Sequence, residues 1–306
     1  MSIKNWFKFI ILGLLWGSSF LWIKIALQEV GPFRLVFFRV VFATISLIFF
    51  FLITKRKFDL KPWRIYAVIG FFNVAIPFAL ISWSEKHISS GLASILNSTV
   101  PLFTMLIAAI LVEGEQLTPK RIFGMLIGFT GVYVLMSNNL GEGTEKLALG
   151  IGAMLLAVCS YSFSSVYARR TSHHVTPQGQ SLGQMATAVF FIAPAMLIIE
   201  SPFQFPILGK TYLALAWLGI LGSCVAPLLW FALIHEIGPS RTNMVSYIFP
   251  LVGVVLGVIF LKESLDWRLF VGGALVLFGI IVVNTRKEFF RRSHQPVNVN
   301  EGSPHE

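Results

Sequence analysis

Apolar residues run along this chain in stretches of about twenty, and each stretch closes on a short polar joint. A bilayer core about 30 Å thick is crossed by roughly 20 helical residues at about 1.5 Å each. By that ruler the sequence predicts helices over 6–27, 34–54, 64–84, 89–112, 120–137, 147–168, 180–200, 211–234, 241–261 and 268–285. The joints are brief: Lys55-Arg56-Lys57, Glu85-Lys86-His87, Gly114-Glu115, Gly141-Glu142-Gly143 and Lys262-Glu263. The stretch 1–19, with Lys4 and Lys8 ahead of an apolar run, resembles a signal peptide. Its apolar character continues to Leu27, which is long enough to span, so a retained first helix is expected. Residues 293–306 carry no apolar periodicity and are expected to be a disordered tail.

Composition removes the soluble alternative. Hydrophobic residues make up 56% of the 306 and charged residues only 12%, with 29 Phe, 8 Trp and a mean hydropathy of +0.77. A soluble domain carries about 25% charge, so this chain could not coat a water-facing surface. The net charge of +10 does not point to nucleic acid, because Lys and Arg sit in short clusters between apolar runs. Cys159 and Cys224 lie inside apolar segments and read as small hydrophobes, without metal or disulfide spacing. No cofactor is expected.

The clusters also orient the chain, since cytoplasmic loops collect Lys and Arg. Sixteen of the 24 fall in loops on the side of the N-terminus and six on the other, leaving Lys24 and Arg39 within spans. Both termini are expected in the cytoplasm of a multi-pass plasma or inner membrane protein.

The second half echoes the first. At an offset of 145 residues Pro32 meets Pro177, Trp16 meets Tyr161, Lys24 meets Arg169 and Arg39 meets Gln184. At 149, Gly70 meets Gly219 and Pro101 meets Pro250; at 148, Glu115 meets Glu263, Gly124 meets Gly272 and Gly131 meets Gly279. Five helices per copy is an odd number, so the second copy enters the membrane from the opposite side. The expected architecture is an all-α membrane protein of ten transmembrane helices in two inverted five-helix repeats, residues 1–140 and 145–286. Inverted repeats of this kind build similar gates toward opposite compartments around a midplane site.

Trp16-Gly17-Ser18-Ser19-Phe20 with Lys24 and Arg39, then 89–134 with Pro101, Glu115-Gln116-Leu117, Gly124 and Gly131, resemble the first EamA-type repeat of the drug/metabolite transporter superfamily. Residues 241–283, with Pro250, Glu263-Ser264-Leu265, Gly272 and Gly279, resemble the second. The resemblance implies a ten-helix exporter or exchanger of metabolites with a central cavity. Tyr161 and Gln184 depart from the pattern by replacing the tryptophan and arginine of the first copy.

Residues i, i+3/4 and i+7 share a helix face, and polar faces nominate a cavity. The candidates are Trp16, Ser19, Lys24, Arg39, Asn73, Asn97, Ser160, Ser164, Tyr167, Trp230, Ser246 and Tyr247. Small residues also pack membrane helices together, so Gly13/Gly17, Gly124/Gly128, Gly253/Gly257 and single serines fit that role as well. Asn73 and Asn97 say more, because an amide facing lipid needs a partner. Lys24 either snorkels to the interface or faces the cavity; Arg39 is either a structural anchor or a gating and anion-attracting group. Pro77, Pro101, Pro227 and Pro250 form a nearly symmetric set of hinges or static kinks, each removing a backbone donor. Glu115 and Glu263, at span ends, suit helix capping.

No Asp or Glu lies in the middle third of any span, so coupling through a buried carboxylate is not expected. An intramembrane enzyme lacks its signature, since all six histidines lie at span ends or in loops and no H-E-x-x-H occurs. A channel is the other rival. The expected function is export or exchange of small polar metabolites such as amino acids, with efflux of hydrophobic compounds as the alternative. The partners are a small solute and the bilayer; oligomeric state is not read.

The charge asymmetry generates a direct test. A periplasm-dependent reporter fused after Glu306 should be inactive, while a cytoplasm-dependent one at the same position should be active. The opposite pattern refutes the orientation.

Overall fold

A computed structural model describes residues 1–112, 117–137, 144–238, 241, 242 and 244–284. The tail at 293–306 and Glu115 lie outside the described residues. Every regular element among those described is helical. Eight helices are long and apolar enough to cross a membrane. They are α1 (Ile3–Ala26), α2 (Pro32–Ile53), α3 (Trp63–Ser84), α4 (Ser90–Leu111), α6 (Thr144–Thr171), α7 (Pro177–Ile199), α8 (Gly209–Ile237) and α9 (Met244–Leu261). Two further apolar helices, α5 (Pro119–Met136) and α10 (Trp267–Asn284), complete the order. Boundaries fall within a few residues of the sequence reading. The excess is at polar ends, where Glu145, Arg169 and Arg170 extend α6 beyond its apolar stretch.

Local chemistry sets the starts. Thr118 and Thr176 each precede a proline at the first helical position, and each hydroxyl accepts from the amide three residues on. Ser89 caps α4 in the same manner through Leu92 N–H. At Gly31 the start of α2 borrows a distant cap: the Glu200 carboxylate accepts from the amides of Phe33 (2.9 Å) and Arg34 (3.0 Å). Glu263 does likewise for α4, accepting from Ser90 N–H (2.8 Å), Ser90 Oγ (3.0 Å) and Gly91 N–H (3.2 Å). An anion at a helix N-terminus meets unpaired amides and the positive end of the dipole.

Helices α2 and α7 pack together, as do α4 with α9 and α5 with α10; α3 packs on α6 and α7, and α8 on α1 and α2. The α5–α10 seam is tight. A Cβ on Gly131 would stand 2.6 Å from the Gly272 carbonyl oxygen, and one on Gly124 would stand 2.9 Å from that of Gly279. Rising along α5 therefore means descending along α10, so the two run antiparallel with their backbones in contact. Small residues permit this approach, which gives membrane helices the close packing that holds them together. The outer surface is correspondingly apolar: Phe190 is 77% exposed and Ile198 80% on α7 alone. Such a surface suits acyl chains and not water.

Gly131→Leu should force the α5–α10 backbones apart. Overpacking of this kind costs about 1–3 kcal/mol, so the unfolding midpoint in detergent should fall measurably. Gly152→Ala, where a Cβ meets nothing within 4 Å, is the control that should not move it.

Candidate functional site

Five of the helices that carry candidate residues are interrupted, and in α3, α4, α8 and α9 the interruption precedes a proline. In α3 the segment Gly70–Ala75 is wound as a π-helix immediately before Ile76-Pro77. In α8 the segment Trp217–Val225 is wound the same way before Ala226-Pro227. In α4 the helix breaks at Ser98-Thr99 before Pro101, and in α9 a 3₁₀ turn, Met244–Tyr247, leads into the α-helix holding Pro250. Helix α1 breaks at Ser18, where Ser18 and Ser19 both donate to the Leu15 carbonyl at 3.2 and 3.1 Å. Such back-bonding bends helices.

The π segments create a specific deficit. In this winding a carbonyl accepts from the amide five residues on, and Phe71 and Leu221 do so from Ile76 and Ala226. The next carbonyls, Phe72 and Gly222, would be served by residues 77 and 227, which are prolines without an N–H. Side chains from other helices fill both vacancies. Ser160 Oγ of α6 donates to Phe72 O at 2.7 Å, and Trp16 Nε1 of α1 donates to Gly222 O at 3.0 Å. Ser162 Oγ donates in a similar manner to Val100 O at 3.1 Å, one residue before Pro101. Two sequence candidates, Trp16 and Ser160, are thus committed to backbone carbonyls.

Polar side chains meet beside these segments. Arg39 of α2 is 7% exposed; its Nε donates to Ser223 Oγ at 3.0 Å, and its guanidinium lies 3.8 Å from the Phe78 ring centroid. On the other side Asn73 Nδ2 donates to Gln184 Oε1 at 3.0 Å. Arg39 and Gln184 are positions matched at 145 residues in the sequence, so the departure from arginine to glutamine retains a polar bridge to the neighbouring π segment. The glycines alongside match as well. A Cβ on Gly219 would meet the Arg39 carbonyl at 2.9 Å, and one on Gly70 would meet that of Gln184 at 2.7 Å.

The remaining candidates are dispersed. Ser19 is buried and bonded within α1, and Ser164 is buried in α6. Tyr167 is half-buried and stacks on Phe163 at 6.4 Å. Trp230 packs with Phe9, Leu12, Leu15 and Phe249 in an apolar cluster at the α1–α8–α9 junction. Ser246 and Tyr247 are half-buried in the 3₁₀ turn. Lys24 is half-buried near the end of α1. Asn97 sits at the break in α4, and its side-chain oxygen is buried without a hydrogen-bond partner. A recess of about 370 Å³ on the flank of α3 is walled by Phe33, Ala79, Leu80, Trp83 and Ala153 and includes none of the candidates.

The sequence expectation concerned carboxylates in the middle of spans; Glu85, in the joint after α3, lies outside that count and is 0% exposed. The joint is tucked under α6, with Ser84 Oγ donating to the Gly150 carbonyl at 2.7 Å. Counting along a span cannot reveal that a loop is covered.

The EamA-like transporter family matches this chain over residues 5–137 and 148–285. The chain belongs to that family. This EamA-family membrane transporter is 26% identical over 279 residues to the Escherichia coli K12 protein named uncharacterized inner membrane transporter YedA, covering 90% of this chain and 89% of the relative. It is also 26% identical over 293 residues to an E. coli K12 protein named probable amino-acid metabolite efflux pump, covering 92% and 95%. A solved crystal structure shares its fold, with a TM-score of 0.64 and 22% identity over 92% of this chain and 96% of the other.

The carbonyl contacts can be tested singly. Ser160→Ala and Trp16→Phe each leave a buried carbonyl unpaired, at a cost of about 1–3 kcal/mol. Both should lower the unfolding midpoint in detergent, and Ser165→Ala, an exposed serine bonded only within α6, should not.

Proposed function

We propose that this chain is a secondary transporter that exports or exchanges small polar metabolites such as amino acids, by alternating access between two inverted five-helix repeats, 1–140 and 145–286. The observation that carries the reading is the matched pair of polar bridges, Arg39–Ser223 and Asn73–Gln184, each joining one half to a π segment of the other. A site of this composition suits solutes with hydrogen-bonding and charged ends. The packing supports the repeat: exchanging each helix for the one five places on keeps the α2–α7, α4–α9 and α5–α10 pairs and turns α3–α6 and α3–α7 into α8–α1 and α8–α2. The antiparallel run of α5 against α10 is what inversion requires of repeat-related helices. On this reading all ten helices span, α5 and α10 included.

Alternating access needs contacts that break at either end. On the side away from the N-terminus these are the Glu200 and Glu263 caps, together with Glu29, whose carboxylate accepts from the amides of Ile207 and Leu208. On the N-terminal side Lys8 pairs with Glu236 across α1 and α8. The interrupted α3, α4, α8 and α9 provide places to bend between these ends. The loop charges favour a cytoplasmic position for both termini, and the inner membrane is the one named for the YedA relative. The other E. coli relative, named a probable amino-acid metabolite efflux pump, gives the solute class further support.

The apolar recess beside α3 favours a second reading, efflux of hydrophobic compounds. Counterflow in proteoliposomes separates the two. Trans-loaded L-amino acids should accelerate labelled uptake under the first reading, and only hydrophobic cations or dyes should do so under the second. A flux that neither saturates nor shows counterflow would indicate a channel. Asn97→Ala should lower counterflow roughly tenfold, the scale of about 1.4 kcal/mol in a barrier, while the yield of folded protein changes little. Equal transport per folded molecule would remove Asn97 from the site.

A further inference from the structure

Glu85 stands out among the buried polar groups that the bridges and caps leave unused. It is 0% exposed, and neither carboxylate oxygen has a hydrogen-bond partner. Its backbone closes α3, with Glu85 N–H donating to Ile81 O at 2.9 Å. Three residues back on the same face, Ser82 is also 0% exposed with an unpaired hydroxyl. One further turn back is Phe78, the ring under the Arg39 guanidinium. The face therefore runs from the Arg39–Ser223 bridge through two unsatisfied polar groups to the joint between α3 and α4.

An ionised carboxylate without hydrogen bonds is very costly away from water, and such a group takes up a proton instead. The charged groups that act on Glu85 are Lys24 from α1, Arg39 from α2 and Glu263 from the segment after α9; Lys86 and His87 follow it in its own joint. No salt bridge joins Glu85 to either cation among the described residues. Burial holds its carboxyl well above the usual carboxylate range; Lys24 opposes this, Glu263 adds to it and Arg39 opposes it.

The geometry points to Glu85 as a proton-binding residue of the transport cycle, protonated while the α3–α4 joint is closed and ionised when that joint opens to water. This inference rests on the transport reading. The closure is held by a neighbour: Glu263 ties down the first turn of α4, five residues beyond Glu85. Releasing that cap admits water to the joint. The Glu85 acid then gives its proton to that water, and the carboxylate is left facing Lys24. Reclosure requires a proton to return to the carboxylate, or a cationic group of the solute to take its place. Movement of the joint is thereby tied to binding and release of one positive charge.

The protonation itself is read by pH-difference infrared spectroscopy on the purified protein without solute. The carbonyl stretch of a protonated carboxylic acid should titrate above the ordinary carboxylate range in the wild type and be missing from Glu85→Gln. If the same band persists in Glu85→Gln, or no carboxyl titrates above the ordinary carboxylate range, the assignment is wrong. Ser165→Ala serves as a variant of unaltered spectrum. The coupling is read in liposomes with a mixture of L-amino acids as probe. A pH gradient should drive net flux through the wild type, and Glu85→Gln should lose that flux to the level of empty liposomes and show pH-insensitive exchange. Gradient-driven flux through Glu85→Gln equal to that of wild type would overturn the coupling. Absence of any amino-acid flux in the wild type would instead sink the solute class, while the infrared result still decides the proton site.

Discussion

A carbonyl that loses its amide partner inside a bilayer has no water to turn to, and the architecture of this protein follows from how those carbonyls are satisfied. Pro77 and Pro227 each strip the donor that a π segment needs, leaving Phe72 O and Gly222 O. Ser160 and Trp16 restore them from α6 and α1. Each repair joins one half of the chain to the other. The interrupted helices are consequently the places where the halves hold one another, and non-α backbone is kept where protein covers it.

Around these repairs the polar groups arrange themselves economically. Arg39 reaches Ser223, one residue past the repaired Gly222 carbonyl, and Gln184 reaches Asn73, one past Phe72. The glycines at 70 and 219 let α7 and α2 approach closely enough for those bridges to form. A charged guanidinium near the middle of a membrane protein is tolerated because its hydrogen bond and the Phe78 ring replace part of its hydration. The α5–α10 seam, in contrast, brings backbone against backbone at Gly124, Gly131, Gly272 and Gly279.

Glu85 extends this logic to the joint. Three other carboxylates at helix ends and loops have clear employment: Glu200 and Glu263 cap helix starts, and Glu29 accepts from loop amides. Glu85 has none, although it is as thoroughly covered as any leucine of the core. An acid in that condition responds to the state of the structure around it, which gives a transporter a means of linking a conformational change to a proton.

The amino-acid sequence by itself determined that the chain lies in a membrane, roughly where its helices begin and end, and that Pro, Gly and Glu recur between halves. Those properties reside in apolar length, loop charge and spacing, all local along the chain. It also nominated Arg39, Asn73 and Trp16, because polar groups in apolar runs are expensive wherever they point. Only the tertiary structure decided what they touch. Trp16 and Ser160, both read as cavity residues, donate to carbonyls; Gln184, read as a replaced arginine, retains a bridge; and Glu85, read as part of a short polar joint, is buried. The reason is common to all three: partner and solvent access are set by residues 66 to 206 positions away or by a covering helix, and periodicity along a single helix holds no record of either.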